Sequence, residues 1–239
     1  MMKRSSLFTT AALGVALLAA PLHAQDSATL DHNYIALKAT LGIGGSRSLE
    51  SDAVTVGPVN VNISDSIGST SKLQVSYGLT GQYMVPLHRF FVLGGLLGVM
   101  SWKSTAASND ADRNLAFDLD VVPQGRLPLT NAFELYLSLP VGLTLDAWNE
   151  VESSATVGML ASYKVESDTA VGFNISLLAG ARYALTESFG VFTEIGFTHR
   201  QFAHEVTLSA TAVGLNLGSA KANADLTLDQ FAWNIGAFF

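Results

Sequence analysis

Four charged residues stand where they can meet. Arg126 and Glu134 flank the short break Pro128-Leu129-Thr130-Asn131, and Arg182 and Glu194 flank the next, Thr186-Glu187-Ser188. If the segments on either side are paired strands, each Arg lies almost opposite its Glu, and all four share one level. Unpaired charges in a narrow interior are costly to desolvate, whereas alternating Arg and Glu can satisfy one another through charge-assisted hydrogen bonds. The expected result is a closed polar plug. The competing result is a ring of charges that solvates a water-filled channel.

Other chemistry is thinly supplied. A nucleophile needs a base and an orienting partner within hydrogen-bond reach. The chain has no cysteine, and of its five histidines only His199 and His204 fall near the outer end of a strand. Both read as rim residues, and their spacing of five lacks the helix that would make it meaningful for a metal. Gly42-Ile43-Gly44-Gly45 and Gly94-Gly95 precede no helix, so they read as strand-end or bend glycines rather than phosphate cradles. No cofactor, no metal and no enzymatic activity are expected. Glu150, Glu152, Glu166 and Asp168 gather in one stretch against a single Lys164. They read as a solvated rim or as a loop that shares divalent cations with anionic lipid.

The elements that must position these groups are strands. Leu135, Leu137, Leu139, Val141, Leu143 and Leu145 alternate with Glu134, Tyr136, Ser138, Gly142, Thr144 and Asp146. This is the period-two pattern of a sheet with one oily and one polar face. Similar runs give eight strands over 34–44, 72–85, 90–102, 115–127, 133–146, 170–185, 189–200 and 226–239. Short breaks at 86–89, 128–131 and 186–188 alternate with long polar stretches at 46–71, 103–114, 147–169 and 201–225. The last of these reads in part as a hairpin that projects beyond the others. Most strands reach the roughly 9 to 11 residues that cross a bilayer at a tilt. Pro123 and Pro140 fall inside strands and predict bulges, since each removes a ladder donor. The run 90–100 is apolar on both faces, so its inward set stays open.

On this pattern the inward ionisable residues are Lys38, Lys72, Asp118, Asp120, Arg126, Glu134, Arg182, Glu194 and Arg200, nearly balanced in sign. Phe90, Phe91, Phe133, Tyr183, Phe189, Phe238 and Phe239 gather at the short-turn ends and Trp102 and Trp148 at the loop ends, as aromatic girdles at two membrane interfaces require.

The two ends say where the chain goes. Met1 to Gln25 carries Lys3 and Arg4, an apolar run from Leu7 to Ala20, and small residues before the expected cleavage site, which is the form of a secretory signal peptide. Removing Lys3 and Arg4 from 13 basic residues leaves 11 against 20 acidic ones, a formal charge of about −9 that disfavours nucleic acid. Phe231, Trp233, Ile235, Ala237 and Phe239 put an unbroken apolar face on the last strand. The closing strand resembles the C-terminal signature of bacterial outer-membrane β-barrel proteins, and the whole chain is similar to OmpA- and OmpX-type barrels of Gram-negative bacteria.

That resemblance implies an all-β fold over 26–239: an eight-stranded antiparallel up-and-down transmembrane β-barrel with short periplasmic turns and long extracellular loops, in the cell outer membrane. It implies that the terminal aromatic strand is recognised by the barrel assembly machinery and closes against strand one. It also implies envelope integrity, contact with outer-membrane lipid and lipopolysaccharide, and surface recognition by the loops, in a monomer without a separate periplasmic domain. The alternative is a narrow passage for small or hydrophobic solutes, lined by Gly78, Gly94, Gly98 and Gly142. A barrel that modifies lipid A is a third class, but the His-x-Ser dyad of one such lipase family is absent because residue 201 is Gln.

Overall fold

The computed structural model describes residues 32–56, 59–62, 69–105, 113–147, 161–167, 169–212 and 215–239. The expected signal peptide lies outside the described residues. The elements are all strands: β1 (Tyr34–Ser51), β2 (Ala53–Val56), β3 (Val59–Asn62), β4 (Thr70–Lys72), β5 (Ser76–His88), β6 (Phe91–Trp102), β7 (Asn114–Pro128), β8 (Phe133–Ser138), β9 (Val141–Ala147), β10 (Ala161–Ser167), β11 (Ala170–Ala184), β12 (Gly190–Ala212) and β13 (Leu215–Phe238).

Every pairing is antiparallel, and the sheet closes. From β1 the ring runs through β5, β6, β7, then β8 and β9 as halves of one strand, β11, β12 and β13, which returns to β1. Ile35 N–H donates to Phe239 O at 3.0 Å and Phe239 N–H to Ile35 O at 2.8 Å, so the last residue is stitched to the first strand. These are the eight crossings expected from the sequence, and closure removes the sheet edges.

The alternation now has two sides. Leu37, Leu79, Leu97, Leu119, Leu143, Leu177, Ile195 and Ile235, one from each crossing strand, are each more than half exposed on the outside. At roughly 25 cal/mol per Å² of apolar surface, such a belt is strongly unfavourable in water and belongs in lipid. The inside is filled instead. Tyr34, Met84, Val92, Tyr136, Phe192 and Phe238 form a buried cluster at the short-turn end. The open question at β6 resolves cleanly: Val92, Leu96, Met100 and Trp102 point in, Phe91, Leu93 and Leu97 out.

Several expectations change. Pro123 and Pro140 produce no bulge: Gln124 opposite Ser138 and Asp120 opposite Gly142 keep one register on either side of Pro140. Each proline forgoes one ladder bond, while Leu139 N–H still donates to Pro123 O and Ser176 N–H to Pro140 O. The irregularity falls between Ile43 and Ser46, where Gly44 (φ 65°) and Gly45 (φ 104°) take the left-handed backbone that glycine tolerates. Past it the alternation flips, so Arg47 and Leu49 point in; on the neighbouring strand Leu73 is buried and Lys72 is exposed. Lys72 is therefore not a lumen residue. Trp102 and Phe238 are 1% and 2% exposed inside the lumen and do not belong to the girdles; Trp148 lies outside the described residues.

The outer end is taller on one side. Ala161–Ser167 is not loop but strand β10, which continues β11 along β12 after a one-residue register slip. The β12–β13 pair runs on to Ala212 and Leu215, so the expected projecting hairpin is present. β1 and β4 extend the same wall, and β2, paired with β3, lies against β12 and β13.

Candidate functional site

The lumen side chains stack in layers. At the short-turn end, Glu134 is 1% exposed and lies beside two arginines, with Arg182 Nε at 3.4 Å from Oε1 and Arg126 Nη1 at 3.8 Å from Oε2. Register explains the closer pair, because Arg182 and Glu134 are direct cross-strand partners. The Arg182 guanidinium also lies over the rings of Tyr34, Tyr136 and Phe238, at 4.3, 5.0 and 5.3 Å from their centroids. Arg126 Nη2 donates to His88 O in the first short turn at 3.2 Å.

Glu194 does not pair with Arg182. Its ladder neighbour on β11 is Gly180, while Arg182 faces Phe192. The cation that reaches it is Lys38 from β1, whose Nζ donates to Oε2 at 2.9 Å. Tyr136 Oη donates to the other oxygen at 3.1 Å and Asn234 Nδ2 to Oε2 at 2.9 Å. Tyr136 gets there by crossing Gly180, where an added Cβ would collide with its ring. The charged layer at this level is thus a five-charge assembly of Arg126, Glu134, Arg182, Glu194 and Lys38. Lys38 was legible as an inward residue, but no local signal named its partner.

Above this, Arg200 forks onto Asp118, with Nε to Oδ1 at 3.2 Å and Nη2 to Oδ2 at 2.7 Å. Asp120 Oδ1 accepts from Asn174 Nδ2 at 2.8 Å. At the outer end His204 is not at a rim: it is buried, with Nε2 at 3.3 Å from Asp146 Oδ2, and Trp102 Nε1 donates to Asp146 Oδ1 at 3.0 Å. His199 points outward, where Nδ1 meets Asp229 Oδ1 at 2.7 Å.

A cavity within this stack, lined by Tyr34, Ala36, Gln82, Gln124, Tyr136, Arg182, Phe192 and Glu194, has a volume near 10 Å³. That is about one water sphere. Three of the glycines that could have lined a passage are covered by side chains: Met84 Sδ occupies the space at Gly94, Thr80 Oγ1 lies 3.1 Å from a Cβ built at Gly98 and Asp120 Oδ1 2.6 Å from one at Gly142, whereas at Gly78 the near atom is the Val99 carbonyl of the adjacent strand. Among the described residues no group of three or more His, Asp or Glu is arranged to hold a metal ion.

The remaining sequence-derived sites divide. Phe231, Trp233, Ile235 and Phe239 are exposed on the outer belt and Ala237 is half-buried beside them. Glu150, Glu152 and Asp168 lie outside the described residues, and Glu166 falls in β10 opposite Thr207.

No known family's sequence model matches the chain, and no characterised protein matches it in sequence. Solved structures do. Outer membrane protein OprG from Pseudomonas aeruginosa is 16% identical, with 89% of this chain and 98% of that chain covered and a TM-score of 0.50. The fold is that of an outer-membrane β-barrel. Looser likenesses include the outer membrane protease OmpT from Escherichia coli, 11% identical over 86% of this chain and 96% of that chain at a TM-score of 0.49. The outer membrane protein AlkL is 13% identical over 89% and 93% at 0.36. With its lipid-facing belt and closed ring, the chain is an integral barrel of the outer membrane.

Proposed function

We propose that the protein is a closed, non-enzymatic, monomeric barrel that serves the outer membrane structurally and through its outer surface, the role implied by its resemblance to OmpA- and OmpX-type barrels. The observation that carries this reading is the packed lumen, in which Glu134 and Glu194 each face cations from other strands and the cavity between Arg182 and Glu194 has a volume near 10 Å³. A lumen packed in this way leaves the loops, the projecting wall and the belt as the working surfaces. The side chains over Gly94, Gly98 and Gly142 weigh against the narrow-passage alternative.

Reconstitution in planar bilayers tests it. The expected result is no steady ion conductance from the native barrel, and conductance after charge reversal by Glu134→Lys or Glu194→Lys. Steady native conductance that neither reversal alters would overturn the plug and favour the passage. Unchanged lipid A acylation on mass spectrometry after overexpression is expected; altered acylation would establish the enzyme.

The partners belong to the same reading. Phe231, Trp233, Ile235, Ala237 and Phe239 serve as the signal for the barrel assembly machinery, and Glu150, Glu152, Glu166 and Asp168 hold divalent cations shared with lipopolysaccharide phosphates. Neutralising those four acids should lower calcium and lipopolysaccharide association; unchanged association would remove the loop from the account.

A further inference from the structure

On the tall side of the barrel the lipid-facing belt ends in a polar pair. The outward row of β12 runs through Ile195 and Phe197 to His199, and that of β13 through Ile235, Trp233 and Phe231 to Asp229. Phe197 and Phe231 are direct ladder partners, and so are His199 and Asp229. Imidazole and carboxylate meet on the outer surface, Nδ1 to Oδ1 at 2.7 Å, with both side chains 36% exposed. His199 lies nine residues along β12 from Gly190 at the short-turn end. At roughly 3.3 Å per residue and a tilt of about 40°, that is a height of about 23 Å, close to the roughly 25 Å of an apolar band. The two rings therefore meet the last of the hydrocarbon, and the pair stands among lipid headgroups.

The residues around the pair suit a sugar. Gln201 and Thr227 are the next outward partners above it, and on β1 Ser46 and Ser48 lie opposite Asp229 and Thr227. Hydroxyl, amide and imidazole groups donate and accept, the carboxylate accepts, and an aromatic pair lies directly below them. Among the described residues the His199 and Asp229 side chains are hydrogen-bonded only to each other, so imidazole Nε2 and carboxylate Oδ2 stand ready for a ligand. A phosphate would meet the Asp229 carboxylate, whereas sugar hydroxyls can donate to it. The same face stays polar further out, where Glu205, Asn223 and Asp225 are exposed and Lys221 pairs with Glu205.

We propose that His199, Asp229, Gln201, Thr227, Ser46 and Ser48 dock the sugar headgroup of an outer-leaflet glycolipid whose acyl chains lie on Phe197, Phe231 and Ile43. The occupant follows from continuity with the belt. Ile43 is the ladder partner of Phe231 and is exposed beside it, so whatever covers this face must be apolar below and polar above. The site rests on the outer-membrane reading and deepens it, adding a lipid contact that needs neither the acidic loop nor divalent cations.

Native mass spectrometry of the full-length barrel, titrated in detergent and EDTA with lipid A, with dephosphorylated lipid A or with phosphatidic acid, tests it. Both forms of lipid A should be retained with similar affinity, and phosphatidic acid about tenfold more weakly. Joint His199→Ala and Asp229→Ala should weaken retention of dephosphorylated lipid A about tenfold, the loss of one or two net hydrogen bonds, with heat-modifiable gel mobility showing that the variant is folded. Unchanged retention in the variant would overturn the site. Preference for phosphatidic acid would overturn it too, by making phosphate the ligand. Loss of both lipid A forms in EDTA would overturn it and return lipid contact to the acidic loop. A second readout needs no substitution: the His199 imidazole resonance should shift on addition of dephosphorylated lipid A and stay in place with phosphatidic acid. No shift with either would overturn the site. Ion conductance, which tests the closed lumen, is separate from all of these results.

Discussion

Lys38 and Glu194, 156 residues apart, close an ion pair of 2.9 Å across the lumen between the first strand and β12. They do so over β13, which lies between them in the ring and presents Gly236 as Lys38's own ladder partner. Long side chains span the barrel where the intervening strand carries a small residue.

Removal of one partner should be costly. Lys38→Met leaves Glu194 buried with only the neutral donors Tyr136 and Asn234, and breaking a buried pair by one partner costs about 3–5 kcal/mol. The joint variant Lys38→Met with Glu194→Gln should recover much of that loss. Urea unfolding in lipid vesicles measures both, and equal losses in the single and joint variants would show that the pair does not hold the layer.

Gly180 is a packing requirement rather than a backbone one. A methyl group there meets the Tyr136 ring, which would leave its place against Glu194. Gly180→Ala should cost about 1–3 kcal/mol by overpacking. The same substitution at Gly125, where nothing lies within 4 Å of the added carbon, should be nearly neutral. Parallel unfolding curves of the two variants decide the matter.

Gly45 is a backbone requirement. At φ 104°, with the Asp229 carbonyl against any added Cβ, Gly45→Ala strains the bend at which the wall reverses its faces. The expected cost is about 1–3 kcal/mol. Because Leu73 is turned inward past this bend, a thiol placed at 73 should become more reactive in the variant; unchanged reactivity would separate the bend from the reversal.

The belt predicts a depth profile. Arginine at the bilayer midplane of a barrel wall costs about 2–4 kcal/mol, falling to about 0–1 near the interface. Leu119→Arg should therefore destabilise far more than Leu115→Arg, which lies toward the outer edge of the same exposed row on β7. Equal costs would argue that this wall does not face the middle of a bilayer.

Much of this was legible along the chain. The eight crossings, the short turns, the outward leucines and the inward Glu134, Tyr136, Ser138, Thr144 and Asp146 all follow from strict alternation, because a strand has no other way to place successive side chains. The same rule misplaced Lys72, since two glycines in left-handed conformation reverse the faces of the paired strand β1 and alternation cannot report its own reversal. It also made β10 a loop: Ala161–Ser167 is a strand only because β12 extends far enough to pair with it.

The sequence by itself determined most of the wall: how often the chain crosses and, outside the strand 90–102 and the reversal past Gly45, which residues of the alternating runs face lipid and which face inward. Tertiary structure alone decided who meets whom inside. Glu194 takes Lys38 rather than Arg182, and His204 turns from a supposed rim residue into a buried neighbour of Asp146. The physical reason is that alternation is local, with a period of two residues, whereas partners across a closed lumen are set by ring curvature, by register accumulated around the sheet and by the small residues that let side chains pass over intervening strands.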